Sequence, residues 1–323
     1  MAAIIELENL THRYDRITAV NDISLQVQEG EIFGFIGPNG AGKTTTMRVL
    51  STLLRPTAGE ARVAGCSVRD DPRGVRRQIG YMPDFFGVYD EMRVWEYLDF
   101  FASCYDIPAQ QRKPLIDDLL DLVDLAHRRD DYVDGLSRGM KQRLCLARTL
   151  THDPAVLILD EPASGLDPRA RIEIRALLRE LQAMGKTIFF SSHILLEVAE
   201  ICSRVGIVEA GRLVAHGTID EIQAAGQKRR NERQVEIALA GRAQEAIALL
   251  QTLPGVRQVT PAGNGPAQPG RGVQLRVHFT GDDQVQTAIL TRLIEAGAPV
   301  VGFQETKVAL EDIFMQVTKG IVS

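Results

Sequence analysis

The run "EIFGFIGPNGAGKTTT", residues 31–46, decides how the rest of the chain is read. Its opening "EIFGFI" is almost wholly apolar, which suits a strand buried on both faces of a parallel sheet. Gly37 to Thr44 then satisfy the spacing G-x-x-x-x-G-K-[ST], and "KTTTMRVLSTLL" continues as a helix. Gly37, Gly40 and Gly42 let the backbone turn its N–H groups inward and approach oxygen atoms with no Cβ in the way. Pro38, Asn39 and Ala41 complete the loop, and Lys43 is set to neutralise the β- and γ-phosphates of a nucleotide. Thr44 offers its hydroxyl to Mg2+, Thr45 follows it into the first helical turn, and the helix N-terminus adds a partial positive charge. Strand, loop and helix in this order predict an α/β nucleotide-binding fold.

The composition narrows what surrounds this loop. A length of 323 residues sets a prior of two domains, each able to bury a core. The start "MAAIIELENLTHRYD" carries acids where a secretion signal needs a long apolar stretch, and the longest apolar runs fall short of the roughly 20 residues of a membrane helix. A soluble chain is expected. Cys66, Cys104, Cys145 and Cys202 form no C-x-x-C pair, so neither a zinc site nor a disulfide framework is expected, and a reducing cytoplasm fits. The formal net charge of −5 disfavours nucleic acid as a partner.

Residues 1–226 alternate short β-rich runs with helical patterns and read as the nucleotide-binding domain. Residues 227–234, within "GQKRRNERQ", are polar and cationic and read as a solvated linker. Residues 235–323 form an accessory domain whose β-α-β-β-α-β order predicts a small ferredoxin-like α+β fold. Between its middle strands, "PAGNGPAQPGRG", residues 261–272, reads as a mobile hairpin loop.

Two further stretches say what kind of phosphate chemistry to expect. "AVLILDEP", residues 155–162, is a buried-strand pattern ending in two carboxylates on different faces. Asp160 is placed to hold a water on Mg2+, and Glu161 to polarise the water that attacks the γ-phosphate. In "LSRGMKQRLCLARTL", residues 136–150, Ser137 N-caps a helix whose Met140, Leu144 and Ala147 share one face. Its free N–H groups form a second anion site, which one nucleotide hardly needs. The economical reading is that this helix serves a second copy of the domain.

Together these motifs resemble the ATP-binding cassette (ABC) family over residues 4–220, with "LSRGMKQ" at the family's L-S-G-G-Q signature, "SGLD" after the acid pair and "SSHILLE" after the next strand. The resemblance implies a P-loop cassette ATPase with a mostly parallel sheet, an antiparallel β subdomain and a helical subdomain. It makes Tyr14 the aromatic that stacks on adenine. It also implies that Ser137 and Gly139 contact the γ-phosphate held by the opposite protomer, that Asp167 links the two sites, and that His193 hydrogen-bonds the γ-phosphate and the attacking water. Where the family has a glutamine, the chain has Asp84, which accepts hydrogen bonds or approaches Mg2+ but cannot donate. Arg138 and Met140 replace a glycine and a glutamine of the signature; the cation at 138 either helps hold phosphate charge or faces solvent, the latter being the favoured reading.

The closing "KVALEDIFMQVTKG" resembles the end of cassette ATPases that drive exporters of drugs, antibiotics, lipids or ions through a separate ABC-2 type permease. The implied partners are that integral membrane permease and a second cassette subunit in a homodimer, at the cytoplasmic face of the membrane. Soluble cassette ATPases of ribosomes or DNA fit less well, because the chain shows one cassette and no sustained heptads between Lys43 and Ser137. A small-molecule P-loop kinase leaves Ser137, Gly139 and Asp167 without a task. Within "DFFGVYDEMRVWEYLDFF", residues 84–101, Phe85, Tyr89 and Trp95 are expected to meet the permease, a helical-subdomain core being the alternative. Leu310, Ile313, Phe314 and Val317 predict a short amphipathic helix.

Overall fold

A computed structural model of the chain describes residues 2–85, 87, 91–230, 232–261, 273–306 and 314. The chain divides into two compact units between Ile219 and Asp220. The first unit begins with β1 (Ala3–Tyr14), β2 (Ile17–Gln28), β3 (Ile32–Ile36), α1 (Lys43–Leu50), β4 (Ala58–Val63), β5 (Cys66–Ser67), α2 (Pro72–Gln78) and β6 (Ile79–Met82). Three helices follow, α3 (Val94–Cys104), α4 (Ala109–Leu122) and α5 (Arg138–Leu150). It closes with β7 (Val156–Leu159), α6 (Pro168–Ala183), β8 (Thr187–Ser192), α7 (Leu195–Ile201), β9 (Arg204–Glu209) and β10 (Arg212–Thr218).

The central sheet has the order β10-β9-β3-β8-β7-β6, parallel throughout except for β10. Every residue of β3, β7 and β8 is buried, which is why their sequences run apolar instead of alternating. Phe33 and Phe189 stack at 5.6 Å and tie β3 to β8. A second, antiparallel sheet, β2-β1-β4-β5, alternates inward and outward side chains. Its Val20, Ile23, Leu25 and Val27 join Phe33, Phe35, Met47 and Leu50 in one core. The helices α3, α4 and α5 pack on one another and bury Tyr97, Leu98, Leu120 and Leu144. A parallel sheet beside an antiparallel β layer and a helical layer is the architecture the motifs implied.

The helix α8 (Ile219–Arg230) leads into the second unit, which continues with β11 (Glu232–Leu239), α9 (Ala243–Gln251), β12 (Val256–Pro261), β13 (Val273–Thr280), α10 (Asp283–Glu295) and β14 (Val300–Thr306). Its antiparallel sheet, in the order β12-β13-β11-β14, covers one face with Ala246, Leu250, Ile289 and Leu293 of the two helices. This is the ferredoxin-like arrangement expected from the element order.

The linker is where the sequence reading departs from the structure. Residues 227–230 complete α8 and residues 232–234 already belong to β11, so the division falls at 219/220 and not after 226. Gln, Lys and Arg are good helix formers, and no proline follows Gly226 to stop the helix. Arg233, counted as a solvated cation, donates to Glu305 at 2.8 Å and to Asp283 at 2.7 Å, and lies 5.6 Å from the centre of the Phe279 ring. Those bonds to carboxylates push its pKa up. A count of charges along a chain cannot see such partners, because they are 50 and 72 residues away. The loop expected at 261–272 and the amphipathic helix expected at 310–317 lie outside the described residues apart from Pro261, in β12, and Phe314, which is helical. Among the described residues no helix is long and apolar enough to cross a membrane.

Candidate functional site

The strand β3 ends at Ile36, and the loop 37–42 delivers the chain into α1. Gly40 and Gly42 take φ of +79° and +99°, the left-handed region that a side chain resists. A Cβ at Gly42 would also strike the carbonyl oxygen of Ala19, and one at Gly37 the carbonyl oxygen of Val208. Glycine is thus required by room as well as by backbone angle. Lys43 is only 6 % exposed, and its ammonium donates to the carbonyls of Gly37 at 2.7 Å and Pro38 at 3.2 Å. Glu161 Oε1 lies 3.5 Å away. Burial lowers the Lys43 pKa, with Glu161 pulling the other way.

Asp160, the residue after β7, is fully buried. Its Oδ1 accepts from the Ser191 hydroxyl at 2.6 Å, whereas Oδ2 is buried without a hydrogen bond. Burial raises the Asp160 pKa, against the neighbouring Ser191 and Thr44 hydroxyls, which lower it. The same Ser191 oxygen accepts from the backbone N–H of Glu161 at 2.9 Å, so one hydroxyl on β8 fixes both acids. Glu161 itself holds φ of +52°, a conformation costing of order 1 kcal/mol for a residue with a Cβ. Its Oε2 meets His193 Nδ1 at 2.6 Å, because β7 and β8 are adjacent and parallel and His193 follows directly on β8.

Asn39, Gly40, Ala41, Gly42, Lys43, Thr44 and Thr45 line one cleft of roughly 610 Å³ together with Asp84, Glu161 and His193. Ile17, Ala19, Phe85, Arg138 and Ser164 line it as well. Tyr14 is outside this lining: it pairs with Ile17 across the β1–β2 hairpin and sets its ring on edge against His12 at 4.6 Å. Ser137, Gly139 and Asp167 are outside it too. Ser137 caps α5 by accepting from Met140 N at 3.3 Å, and Asp167 caps α6 by accepting from Ala170 N at 2.9 Å. Gly139 faces Ala170, whose methyl lies 3.2 Å from where a Cβ would stand. Arg138 is exposed, as the favoured reading has it, and its side chain also lines the cleft and covers Gly165. Sequence reading missed Ser191 and Ser164; the pair "SS" closing an otherwise apolar strand was the available signal for the first.

A family model described as ABC transporter matches residues 20–164, and one described as the C-terminal domain of DrrA1-3-like ATP-binding proteins matches residues 217–318. An uncharacterized ABC transporter ATP-binding protein of Synechocystis sp. is 34% identical over 303 residues, spanning 93% of this chain and 78% of that protein. The chain belongs to the ABC transporter ATP-binding proteins. Nod factor export ATP-binding protein I of Burkholderia pseudomallei is 41% identical over 215 residues, 67% of this chain and 71% of that protein. A solved ATP binding subunit of an ABC transporter superposes with a TM-score of 0.63 at 31% identity, covering 69% of this chain and 92% of that one. A dimeric ATP-binding cassette bound to ADP and Pi has the same fold, with a TM-score of 0.61 at 24% identity over 67% of this chain and 98% of its own. As an ABC ATP-binding subunit the protein binds ATP and is an ATPase, and it has the cassette's α/β fold.

Proposed function

We propose that this ABC ATPase powers an exporter, closing as a homodimer around two MgATP and reopening on hydrolysis to drive a separate ABC-2 type permease at the cytoplasmic face of the membrane. The observation that carries the chemistry is the Glu161 carboxylate held between the Lys43 ammonium and the His193 imidazole at the mouth of the loop. Glu161 polarises the attacking water, His193 orients Glu161 and the γ-phosphate, and Lys43 leaves its loop carbonyls for the phosphates. The backbone from Gly37 to Thr45 cradles the phosphate chain, and Tyr14 meets the base. Ser137, Gly139 and Asp167 act across the dimer.

The residues fit Mg2+: Asp160 Oδ2 is a buried acceptor with no partner, and the Thr44 hydroxyl is its neighbour. Thr44 and Asp160, with Asp84 at the rim, would hold the ion, which when bound neutralises charge developing on the phosphates. The Nod factor export relative favours export, and the net charge of −5 leaves nucleic acid out of the reading. Two measurements test this reading. Glu161→Gln should bind ATP, lose turnover and sediment as a dimer under saturating MgATP; a monomer there sinks the sandwich. The detergent-solubilised protein should copurify with an integral membrane protein, and capture on ribosomes instead would sink export.

A further inference from the structure

Three arginines recur at successive turns of α6, Arg171, Arg175 and Arg179, and all of them meet α7. Arg175 pairs with the Glu200 carboxylate, and Arg179 Nη2 donates to the Glu200 carbonyl at 2.6 Å, so these two clasp the end of α7. Arg171 reaches further back, where its Nε faces Glu197 Oε1 at 3.5 Å. Glu197 is buried, which a glutamate rarely is unless it is well paired. Among the described residues neither Arg171 Nε nor Glu197 Oε1 has a hydrogen bond. Burial pushes the Glu197 pKa up, against the pull of Ser192, Arg171 and Arg175. A buried carboxylate satisfied only in part does little to hold a fold together, so its partners are the place to look for its role.

Those partners lead to the cleft. Glu197 Oε2 accepts from the Ser192 hydroxyl at 3.2 Å, and the same hydroxyl accepts from the backbone N–H of Ile194 at 2.9 Å. Ser192 and Ile194 flank His193, so these bonds fix the backbone on both sides of the imidazole that meets Glu161 at 2.6 Å. At the other end, the backbone N–H of Arg171 donates to the carbonyl of Asp167 at 3.1 Å, so Arg171 sits on the helical turn that Asp167 caps.

We propose that Glu197 is a positioning residue that links Asp167 to His193 within one protomer, so that contact with a second copy at the start of α6 sets the imidazole against Glu161. This rests on the dimer proposed above and names the path by which one protomer answers the other. The separation between Arg171 and Glu197 is the adjustable member: a small shift of α6 closes it into a charge-assisted hydrogen bond, and Ser192 carries the change to the turn of His193.

The test compares the full chain with Glu197→Gln, Asp167→Ala and the double variant in steady-state ATPase, ATP titration and thermal unfolding. Glu197→Gln keeps the side chain's size and an acceptor for Ser192 but removes the charge facing Arg171. Its kcat should fall about tenfold, with ATP affinity within about twofold and the Tm held or raised. Because both positions lie on one path, the double variant should match the slower single variant within about twofold. Losses that multiply in the double variant would overturn the proposal, as would an unchanged kcat in either single variant. A Tm that falls together with kcat and ATP affinity in Glu197→Gln would overturn it too, marking the residue as part of the fold only. Sedimentation of Glu161→Gln under saturating MgATP separates this link from the reading beneath it. A monomer there takes down the dimer and the link together, whereas a dimer with Glu197→Gln fully active refutes the link alone.

Discussion

Ser191 has the most leverage of any residue around the cleft relative to its size, because its hydroxyl donates to Asp160 and accepts from the backbone of Glu161. Ser191→Ala removes both restraints and touches no nucleotide, so kcat should fall about 10- to 100-fold with ATP affinity retained, as steady-state ATPase and equilibrium titration would show. Asp160 carries a different liability. Burial raises its native pKa above the unfolded value, so between those two values the native state holds the proton more tightly than the unfolded state does. Stability therefore falls as pH rises through that window, and the full cost persists above it. Asp160→Asn should abolish hydrolysis yet raise the Tm at pH 7, the gain shrinking as pH falls through that window and gone below the unfolded carboxylate pKa of about 4; calorimetry across pH reads it directly.

At the scale of elements, α3 separates two readings that its aromatic sequence left open. Tyr97 is fully buried, lies 5.0 Å from the Phe101 ring and has its hydroxyl 3.4 Å from Arg148, whereas Phe85, just after β6, is 82% exposed. Trp95 is half-buried under the Arg129 guanidinium at 5.6 Å, and Tyr89 lies outside the described residues. Tyr97→Ala should cost about 4 kcal/mol in urea unfolding. Phe85→Ala should leave stability within about 0.5 kcal/mol and reduce only permease-stimulated ATPase. The same contrast marks what was legible in the sequence. The loop, the buried strands β3 and β7 and the cap Ser137 were readable because each is set by residues close along the chain. Arg138 over Gly165, Ser191 under two acids and Arg233 between Glu305 and Asp283 were not, because each depends on a meeting of segments far apart in sequence.

The whole molecule is two compact units, and the residues of the cleft all lie in the first. A chain ending at Gln227 would stop inside α8, so the informative truncation ends at Ile219. It should keep full-length ATP affinity and lose coupling to the permease, measured as nucleotide titration and permease-stimulated ATPase; a folded truncation that no longer binds ATP would refute the modular reading. Stability is spread unevenly through the first unit. Lys43 and Asp160 are buried with pKa values displaced toward their neutral forms, so the site is a weak point in an otherwise close-packed core; phosphate would relieve the ammonium and a cation the carboxylate. Ligand that binds only the native chain shifts the unfolding equilibrium by mass action. Resistance to opening is then coupled to fuel: the chain without nucleotide should be cut faster by a protease than the chain saturated with ATP, in proportion to the fraction left unliganded.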